Sequence, residues 1–260
     1  MTDNAADAGA SIAALYRYPV KGLSPEPLDS ICVLQGETLP HDRIYAIEAG
    51  SHEFDPEQPK FMPKTKFLML ARDEKLATLQ TRFDPDTSVL TILREGKQVA
   101  RGDLSQRIGR QLIEQFMSAF MGKDLTGNPR IVHAQGHSFS DAPAKFVSII
   151  NLASLRDLER VLGAPVDPLR FRANVYVDGL APWAEFDWLD KRLLLGGAQV
   201  QIVQRIKRCA ATNVDPSTGV RDMQVPRTLA DSFGHVDCGL YARVEQGGNI
   251  ARGDRIIVAV

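Results

Sequence analysis

The sequence predicts a β-rich α+β fold made of two units, and three observations support this prediction. Short segments of alternating apolar and polar residues follow one another, separated by turn sequences such as residues 84–86 and 95–96. Such alternation is typical of strands with one buried face. The apolar spacing then changes to four residues around 108–120, which indicates a helix. A chain of 260 residues can form one large domain or two smaller ones.

The N-terminal part of the chain is predicted to form short strands. Residues 1–11 are mostly small and polar, so we expect a disordered tail before the first strand. The predicted strands cover residues 12–18, 28–34, 43–48, 67–71, 76–83 and 89–93. Short strands at this spacing are typical of an antiparallel or barrel-like β unit.

An amphipathic helix is predicted where the two units meet. Its apolar positions are Ile108, Leu112, Phe116 and Phe120. Asp103 and Gln106 fit a capping box at its start, and Gly122 fits its end. We therefore expect a first domain at residues 12–122 and a second domain at residues 123–260.

The second domain is predicted to contain strands and one short helix. Asn151 fits the N-cap of this helix and Gly163 fits its C-terminal end. The apolar face of the helix comprises Leu155, Leu158 and Leu162. The predicted strands cover residues 146–150, 171–177, 193–195, 200–206, 240–244 and 255–260, with a loop at 246–249.

Composition excludes several classes of protein. The net charge of −1 gives no overall field that would attract nucleic acid or an anionic membrane, so neither is an expected partner. Cys32, Cys209 and Cys238 form no CxxC pair, which excludes a zinc ribbon and a thioredoxin motif. This low, odd number of cysteines suits a reducing cytoplasm. The sequence shows neither a signal peptide nor an apolar run of 18 residues.

The most informative segment runs from Arg205 to Gly219 and contains Cys209. Lys207 and Arg208 precede this cysteine, and neighbouring cations favour the thiolate, which attacks electrophiles or binds soft metals. The sequence Asp-Pro-Ser-Thr-Gly at residues 215–219 predicts a tight turn, which we expect to shape one wall of the site. The same residues fit equally well an inert, buried cysteine at the end of a strand.

Several cations and one amide are candidate binding residues. Lys21 follows the first predicted strand and Arg43 begins another, so either could meet an anionic ligand or lie in a solvated loop. Arg172 and Asn174 are two apart, so they share one face of an extended chain and could recognise a phosphate or a planar heterocycle. They could also belong to a salt-bridged edge strand. The basic run at residues 60–66 could line a phosphate site or be solvated.

Three separated segments together resemble one protein family. The run Leu15-Tyr-Arg-Tyr-Pro-Val-Lys-Gly22 resembles the opening of the N-terminal β-barrel domain of MOSC proteins. The run Arg208-Cys-Ala-Ala-Thr-Asn-Val-Asp-Pro-Ser-Thr-Gly219 is similar to the cysteine motif of the MOSC domain itself, and Phe171-Arg-Ala-Asn174 lies between them as it does in that family. The resemblance includes the amidoxime-reducing components. It implies a MOSC N-terminal β-barrel domain at 12–122 followed by a MOSC β-barrel domain with a few helices at 123–260.

The resemblance implies a molybdenum cofactor, in which the metal is bound to a molybdopterin. It assigns Cys209 as the molybdenum ligand and catalytic residue. It also assigns the cofactor-binding residues, which are Lys21, Arg43, Arg172, Asn174 and Arg208. Chemistry agrees with this assignment, because a thiolate suits a soft metal and cations suit the phosphate of the pterin.

The chain departs from the family pattern in several places. Gly22 and Lys207 stand where relatives often carry serine, and the loop Ser140–Lys145 lacks the Thr-Ser pair that contacts the cofactor in relatives. We find neither a four-cysteine ferredoxin module nor a pyridoxal-phosphate desulfurase domain in the sequence. Electrons for a reduction are therefore expected from a separate donor protein of the ferredoxin, flavoprotein or cytochrome type.

Two functions from different classes follow from these residues. The first is a molybdenum-dependent oxidoreductase that reduces a small N-hydroxylated or N-oxide substrate. The second is a non-catalytic carrier, which stores the cofactor or carries a persulfide sulfur on Cys209. A nucleic-acid-binding β-barrel has little support, because the sequence lacks a stripe of basic and aromatic residues.

Overall fold

The computed structural model describes residues 9–259, and strands predominate in this part of the chain. The strands are β1 (Ser11–Arg17), β2 (Glu26–Leu28), β3 (Ser30–Val33), β4 (Ala46–Glu48), β5 (Leu79–Asp84), β6 (Val89–Arg94), β7 (Lys97–Asp103), β8 (Arg130–Val132), β9 (Val147–Asn151), β10 (Val175–Asp178), β11 (Arg192–Leu195), β12 (Ala198–Lys207), β13 (Asp237–Gln246), β14 (Gly248–Ala251) and β15 (Ile256–Val258). The α-helices are α1 (Arg107–Met121), α2 (Leu152–Leu162) and α3 (Val225–Phe233). The predicted β-rich α+β class is confirmed.

An eight-stranded sheet forms the centre of the molecule. Its strand order is β15-β11-β12-β13-β9-β10-β1-β2, and within it β9 and β10 run parallel while the other neighbours are antiparallel. Smaller sheets pair β14 with β3, pair β4 with β8, and join β5, β6 and β7. The pairs β1–β10, β3–β14 and β4–β8 all cross residue 122. The division into domains at 12–122 and 123–260 stays a prediction.

Helix α1 forms where it was predicted but buries a different face. Its buried residues are Gly109, Ile113, Met117 and Met121, each one position after the predicted row. Ile108 is 72% exposed and Leu112 is 50% exposed. The reason lies at Gly102 and Gly109, whose backbones are so close that a Cβ atom on either would overlap the other segment. The helix therefore turns its Gly109 side towards β7.

The ends of the helices test the predicted caps. The side chain of Asn151 accepts a hydrogen bond from the backbone of Ala153, so the predicted N-cap of α2 is confirmed. Gly163 and Gly122 occupy the C-caps of α2 and α1, as expected. The predicted capping box of α1 is wrong, because the carboxylate of Asp103 accepts from Ser105 and no side chain caps the helix.

Several local predictions differ from the structure. Strand β4 begins only at Ala46, since Arg43 lies in a turn with φ of 52°. Segment 67–71 forms a single bridge, between Phe67 and Glu48, instead of a strand. The sequence did not predict β7, β8, β14 or α3. Of the predicted tail, residues 1–8 lie outside the described part, whereas Ala10 is buried and Ser11 begins β1.

None of the helices within residues 9–259 combines the length and the apolar character that crossing a bilayer requires.

Gly239 lies in β13 beside the neighbouring antiparallel strand β9, and it is expected to tolerate no side chain. Its φ is 82°, and a Cβ atom there would overlap the carbonyl oxygen of Ile149 and the side chain of Ile150. We expect Gly239→Ala to lower the free energy of unfolding by about 3 kcal/mol, as clashes and backbone strain combine. Urea unfolding measures the loss.

Gly253→Ala is the matched control, because its φ is 90° and no atom of residues 9–259 lies within 4 Å of the added Cβ. Backbone strain alone should lower the free energy of unfolding of Gly253→Ala by about 1 kcal/mol. Equal losses in both variants would contradict the close approach of β13 to β9.

Candidate functional site

A cleft of about 630 Å³ lies at one edge of the eight-stranded sheet. Lys21 follows the end of β1, while Arg172 and Asn174 precede β10. Since β1 and β10 run antiparallel, these residues reach the same edge of the sheet. Cys209 follows the end of β12. The structure brings the six predicted site residues to this one cleft, namely Lys21, Arg43, Arg172, Asn174, Arg208 and Cys209.

Two arginines contact one buried tyrosine at the base of the site. The guanidinium carbon of Arg43 lies 4.6 Å from the centre of the Tyr18 ring, and that of Arg172 lies 4.3 Å from it. Both arginines adopt left-handed backbone conformations, with φ of 52° and 51°. Such conformations are unfavourable for arginine and persist only where surrounding contacts impose them. The two guanidinium groups are therefore held in fixed positions.

Burial has opposite effects on these groups. It lowers the pKa of Arg172 to about 10 and raises the pKa of Tyr18 to about 12. Burial also opposes the charge of Arg43, but the adjacent Asp42 carboxylate outweighs it and raises the pKa of Arg43. Both arginines thus stay charged at neutral pH.

Two guanidinium nitrogens at the site have unused hydrogen-bonding capacity. Arg208 donates from Nε to the carbonyl of Cys238 at 2.6 Å and from Nη1 to the carbonyl of Phe171 at 3.0 Å. Its Nη2, like Nη2 of Arg172, is buried and has no hydrogen-bond partner among residues 9–259. Buried donors without partners are rare in native proteins, so these two groups are free to donate to an acceptor in the cleft.

Asn174 is used within the protein. Its Oδ1 accepts from the backbone and the hydroxyl of Ser148 at 3.1 and 2.8 Å, and its Nδ2 donates to the carbonyl of Tyr16 at 3.2 Å. The residue is 1% exposed. Asn174 therefore ties β10 to β9 and β1 and fixes the wall of the cleft. Its predicted contact with a cofactor stays a prediction.

A chain of charged groups leads from Lys21 to Cys209. The ammonium group of Lys21 is buried, donates to the carbonyl of Phe139 at 2.8 Å and forms an ion pair with Asp141. The other carboxylate oxygen of Asp141 lies 3.6 Å from Nζ of Lys64. Lys64 in turn donates to Sγ of Cys209 at 3.2 Å. A cation thus contacts the thiol, and it comes from a distant loop.

The pKa values in this chain follow from burial and charge. Burial lowers the pKa of Lys21, and Asp141 opposes this change. Burial alone would raise the pKa of Asp141, but the charges of Lys21 and Lys64 outweigh it and lower the pKa to about 2. Burial disfavours the charge of Lys64, yet Asp141 and Cys209 raise its pKa. Asp141 and Lys64 are therefore charged at neutral pH, and the ion pair with Asp141 favours the charged form of Lys21.

The turn after Cys209 is stabilised by ion pairs with Arg170, which comes from another segment. Gly219 donates to the carbonyl of Asp215 at 3.0 Å, so the predicted turn forms. Buried Arg170 bonds both oxygens of Asp222 at 2.8 and 2.7 Å and contacts Asp215 at 3.2 Å. Residues 215–219 do not line the cleft. The predicted wall is therefore wrong, and the turn supports the Cys209 segment from outside.

Sequence reasoning missed two residues that line the cleft, Asp141 and Tyr241, and it left Lys64 open between a phosphate site and a solvated loop. Lys64 belongs to the basic run at 60–66 that was weighed as a phosphate site, whereas Lys66 pairs with Glu53 instead. The ring of Tyr241 stacks on Phe146 with centres 5.4 Å apart. No motif marks Asp141 or Tyr241, because only the fold brings each of them to the cleft.

No group of three or more histidine, cysteine, aspartate or glutamate side chains is arranged to hold a metal ion in the described part of the chain. The thiol of Cys209 could hold a metal only as a single protein ligand, together with ligands from a cofactor. All three cysteines are free, with Cys238 buried and Cys32 exposed.

Comparisons with known proteins agree with the motifs. The family "MOSC domain" matches residues 135–257. Mitochondrial amidoxime-reducing component 1 from Homo sapiens is 32% identical over 286 residues, which cover 95% of this chain and 82% of that protein. Molybdenum cofactor sulfurase from Caenorhabditis briggsae is 31% identical over 85% of this chain but only 31% of that protein. The crystal structure of the YUAD protein from Bacillus subtilis covers 95% of this chain and 93% of that chain, with 13% identity and a TM-score of 0.42.

The low pKa of Asp141 predicts how stability depends on pH. The carboxyl group has a pKa of about 3.9 in the unfolded chain and of about 2 in the folded chain. The folded chain therefore binds fewer protons in this window, so the ion pairs stabilise it above about pH 4 and lose their effect as pH falls towards 2.

We expect Asp141→Asn to lower the free energy of unfolding by about 1 kcal/mol at pH 6, a small amount because the side chain is 47% exposed and screened by water. The difference from the unmodified chain should shrink below pH 4. Urea unfolding from pH 6 to 2.5 measures it, and a constant difference would contradict the ion pairs.

Proposed function

The chain belongs to the MOSC-domain family that includes human mitochondrial amidoxime-reducing component 1, and from this premise we propose that it is a molybdenum-cofactor-binding oxidoreductase. The observation that carries the proposal is the cleft at Cys209. There a thiol lies beside a group of cations, and two of these cations have a buried guanidinium nitrogen with no hydrogen-bond partner in the described part of the chain.

The residues of the cleft fit a molybdopterin. Cys209 would provide a soft sulfur ligand for the metal. Lys21, Arg43, Arg172 and Arg208 would bind the phosphate and the heterocycle, which are rich in acceptors, through charge-assisted hydrogen bonds. When bound, the cofactor would supply a redox-active metal for two-electron chemistry. Asn174 would act indirectly, by holding the strands that carry Arg172.

We propose an N-hydroxylated or N-oxide compound as the substrate. Reduction of its N–OH group takes up two electrons and two protons, breaks the N–O bond and releases water. The cleft contains proton-bearing groups for this purpose, because Lys64 is charged and burial raises the pKa of Tyr241, which keeps its hydroxyl protonated. The stacked rings of Phe146 and Tyr241 would orient a planar substrate.

Electrons are proposed to come from a separate donor protein of the ferredoxin, flavoprotein or cytochrome type. We place the reaction in a reducing cytoplasm, which agrees with three free cysteines. Several relatives are named as mitochondrial, and that location is stated for those proteins and not for this chain.

A cofactor or persulfide carrier is the second candidate. Cys209 is half-buried and hydrogen-bonded to Lys64, and a thiol with access to solvent and a cationic neighbour suits sulfur transfer. The relative named as a molybdenum cofactor sulfurase adds to this possibility. Activity distinguishes the two candidates.

Molybdenum content tests the metal site. The chain purified from a host that makes the cofactor should contain about one molybdenum atom per chain, because Cys209 completes the metal's ligands. Cys209→Ser should lose most of it, as measured by elemental analysis. Cys32→Ser is the control, since Cys32 is exposed on β3 and should leave the content unchanged. Equal molybdenum in all three proteins would exclude Cys209 as the ligand.

Turnover tests the choice between enzyme and carrier. The loaded protein with a chemical electron donor should reduce benzamidoxime to benzamidine, and Cys209→Ser should be at least about a hundredfold slower, because without its ligand the metal is lost. Product formation is followed by chromatography. A loaded but inert protein, or cyanide-labile sulfur on Cys209 without molybdenum, would favour the carrier.

A further inference from the structure

We infer that the carboxylate of Asp141 serves as an internal anion at an oxyanion subsite, and that the phosphate-type group of a ligand displaces it from Lys21 and Lys64. The inference rests on the proposed function only in that the proposed cofactor carries such a group. It concerns a residue that none of the motifs marks.

Two lysines form ion pairs with the one carboxylate of Asp141. Asp141 directs one oxygen to Lys21 and the other to Lys64. Two ammonium groups that converge on one acidic group form the arrangement that binds an oxyanion. Nη2 of Arg172 adds a buried, unused donor in the same cleft. The subsite thus has more positive charge and more donors than one carboxylate can satisfy.

The side chain of Asp141 can move away from the lysines while the loop that carries it stays in place. Phe139 is 3% exposed and its backbone donates to the carbonyl of Arg43 at 2.8 Å. Lys145 donates to both carboxylate oxygens of Glu37 at 2.7 and 2.6 Å. The loop is therefore fixed on both sides of Asp141, whose side chain is 47% exposed and can rotate into solvent.

A phosphate group and the carboxylate of Asp141 differ in charge. A phosphate group carries up to two negative charges and offers three acceptor oxygens, whereas Asp141 offers one charge and two oxygens. The two anions cannot share the lysines, because like charges at such a distance repel each other strongly. A dianionic ligand can overcome this competition, and a neutral heterocycle cannot. Asp141 therefore selects for ligands that carry a phosphate.

Calorimetric titration with inorganic pyrophosphate tests this inference on the full chain made without molybdenum cofactor. We expect Asp141→Asn to bind pyrophosphate at least about tenfold more tightly than the unmodified chain, because one competing charge is removed. Lys21→Met should abolish binding whether or not Asp141 is also changed. Asp237→Asn is the matched control, since Asp237 lines the same cleft without an ion pair to either lysine, and its affinity should change less than twofold.

Equal or weaker binding by Asp141→Asn would overturn the inference and make Asp141 a residue that only positions Lys21. Absence of binding by every protein would overturn it too. The chains contain no molybdenum, so these results are independent of the metal. If Cys209→Ser kept as much molybdenum as the unmodified chain, Cys209 would be excluded as the ligand, while the subsite could still be demonstrated with pyrophosphate.

Discussion

The concentration of positive charge around Cys209 is the constraint on which the site depends. Lys21, Arg43, Lys64, Arg172 and Arg208 all line one cleft. Buried cations are costly unless anions or hydrogen bonds compensate them. Asp42 compensates Arg43, and Asp141 compensates the two lysines. Backbone carbonyls satisfy only part of Arg208, and a guanidinium nitrogen of Arg172 has no partner in the described part of the chain. The protein thus keeps binding capacity that an anionic, acceptor-rich ligand would use.

The sheet makes this concentration of charge possible. Antiparallel pairing of β1 with β10 brings the residues after one strand and before the other to the same edge. Left-handed backbone at Arg43 and Arg172 then turns both side chains against Tyr18. Arg170 holds the segment after Cys209 through Asp222 and Asp215. The thiol and the cations are therefore positioned by the backbone and by buried ion pairs before any ligand arrives, which is how a binding site limits the entropic cost of association.

Local sequence predicted several parts of the molecule that local chemistry determines, although the capping box predicted from Asp103 and Gln106 did not form. The Asn151 cap, the Gly163 end and the run after Arg208 depend on near neighbours, and the sequence was sufficient for them. The buried face of α1 depends on the contact between Gly102 and Gly109, which a period of four does not reveal. Lys64 reaches Cys209 across 145 positions of the chain, and Asp141 reaches Lys21 across 120. Contacts at such separations depend on strand pairing, so they cannot be predicted from the sequence of one segment.

The sulfur of Cys209 would bind molybdenum in this cleft. X-ray absorption at the molybdenum edge measures it most directly, because the fitted scattering shell gives the number of sulfur atoms bound to the metal. The comparison is between the loaded chain and Cys209→Ser carrying whatever metal it retains. The account predicts one sulfur ligand fewer in the variant, with an oxygen scatterer in its place. An unchanged sulfur shell in Cys209→Ser would contradict it.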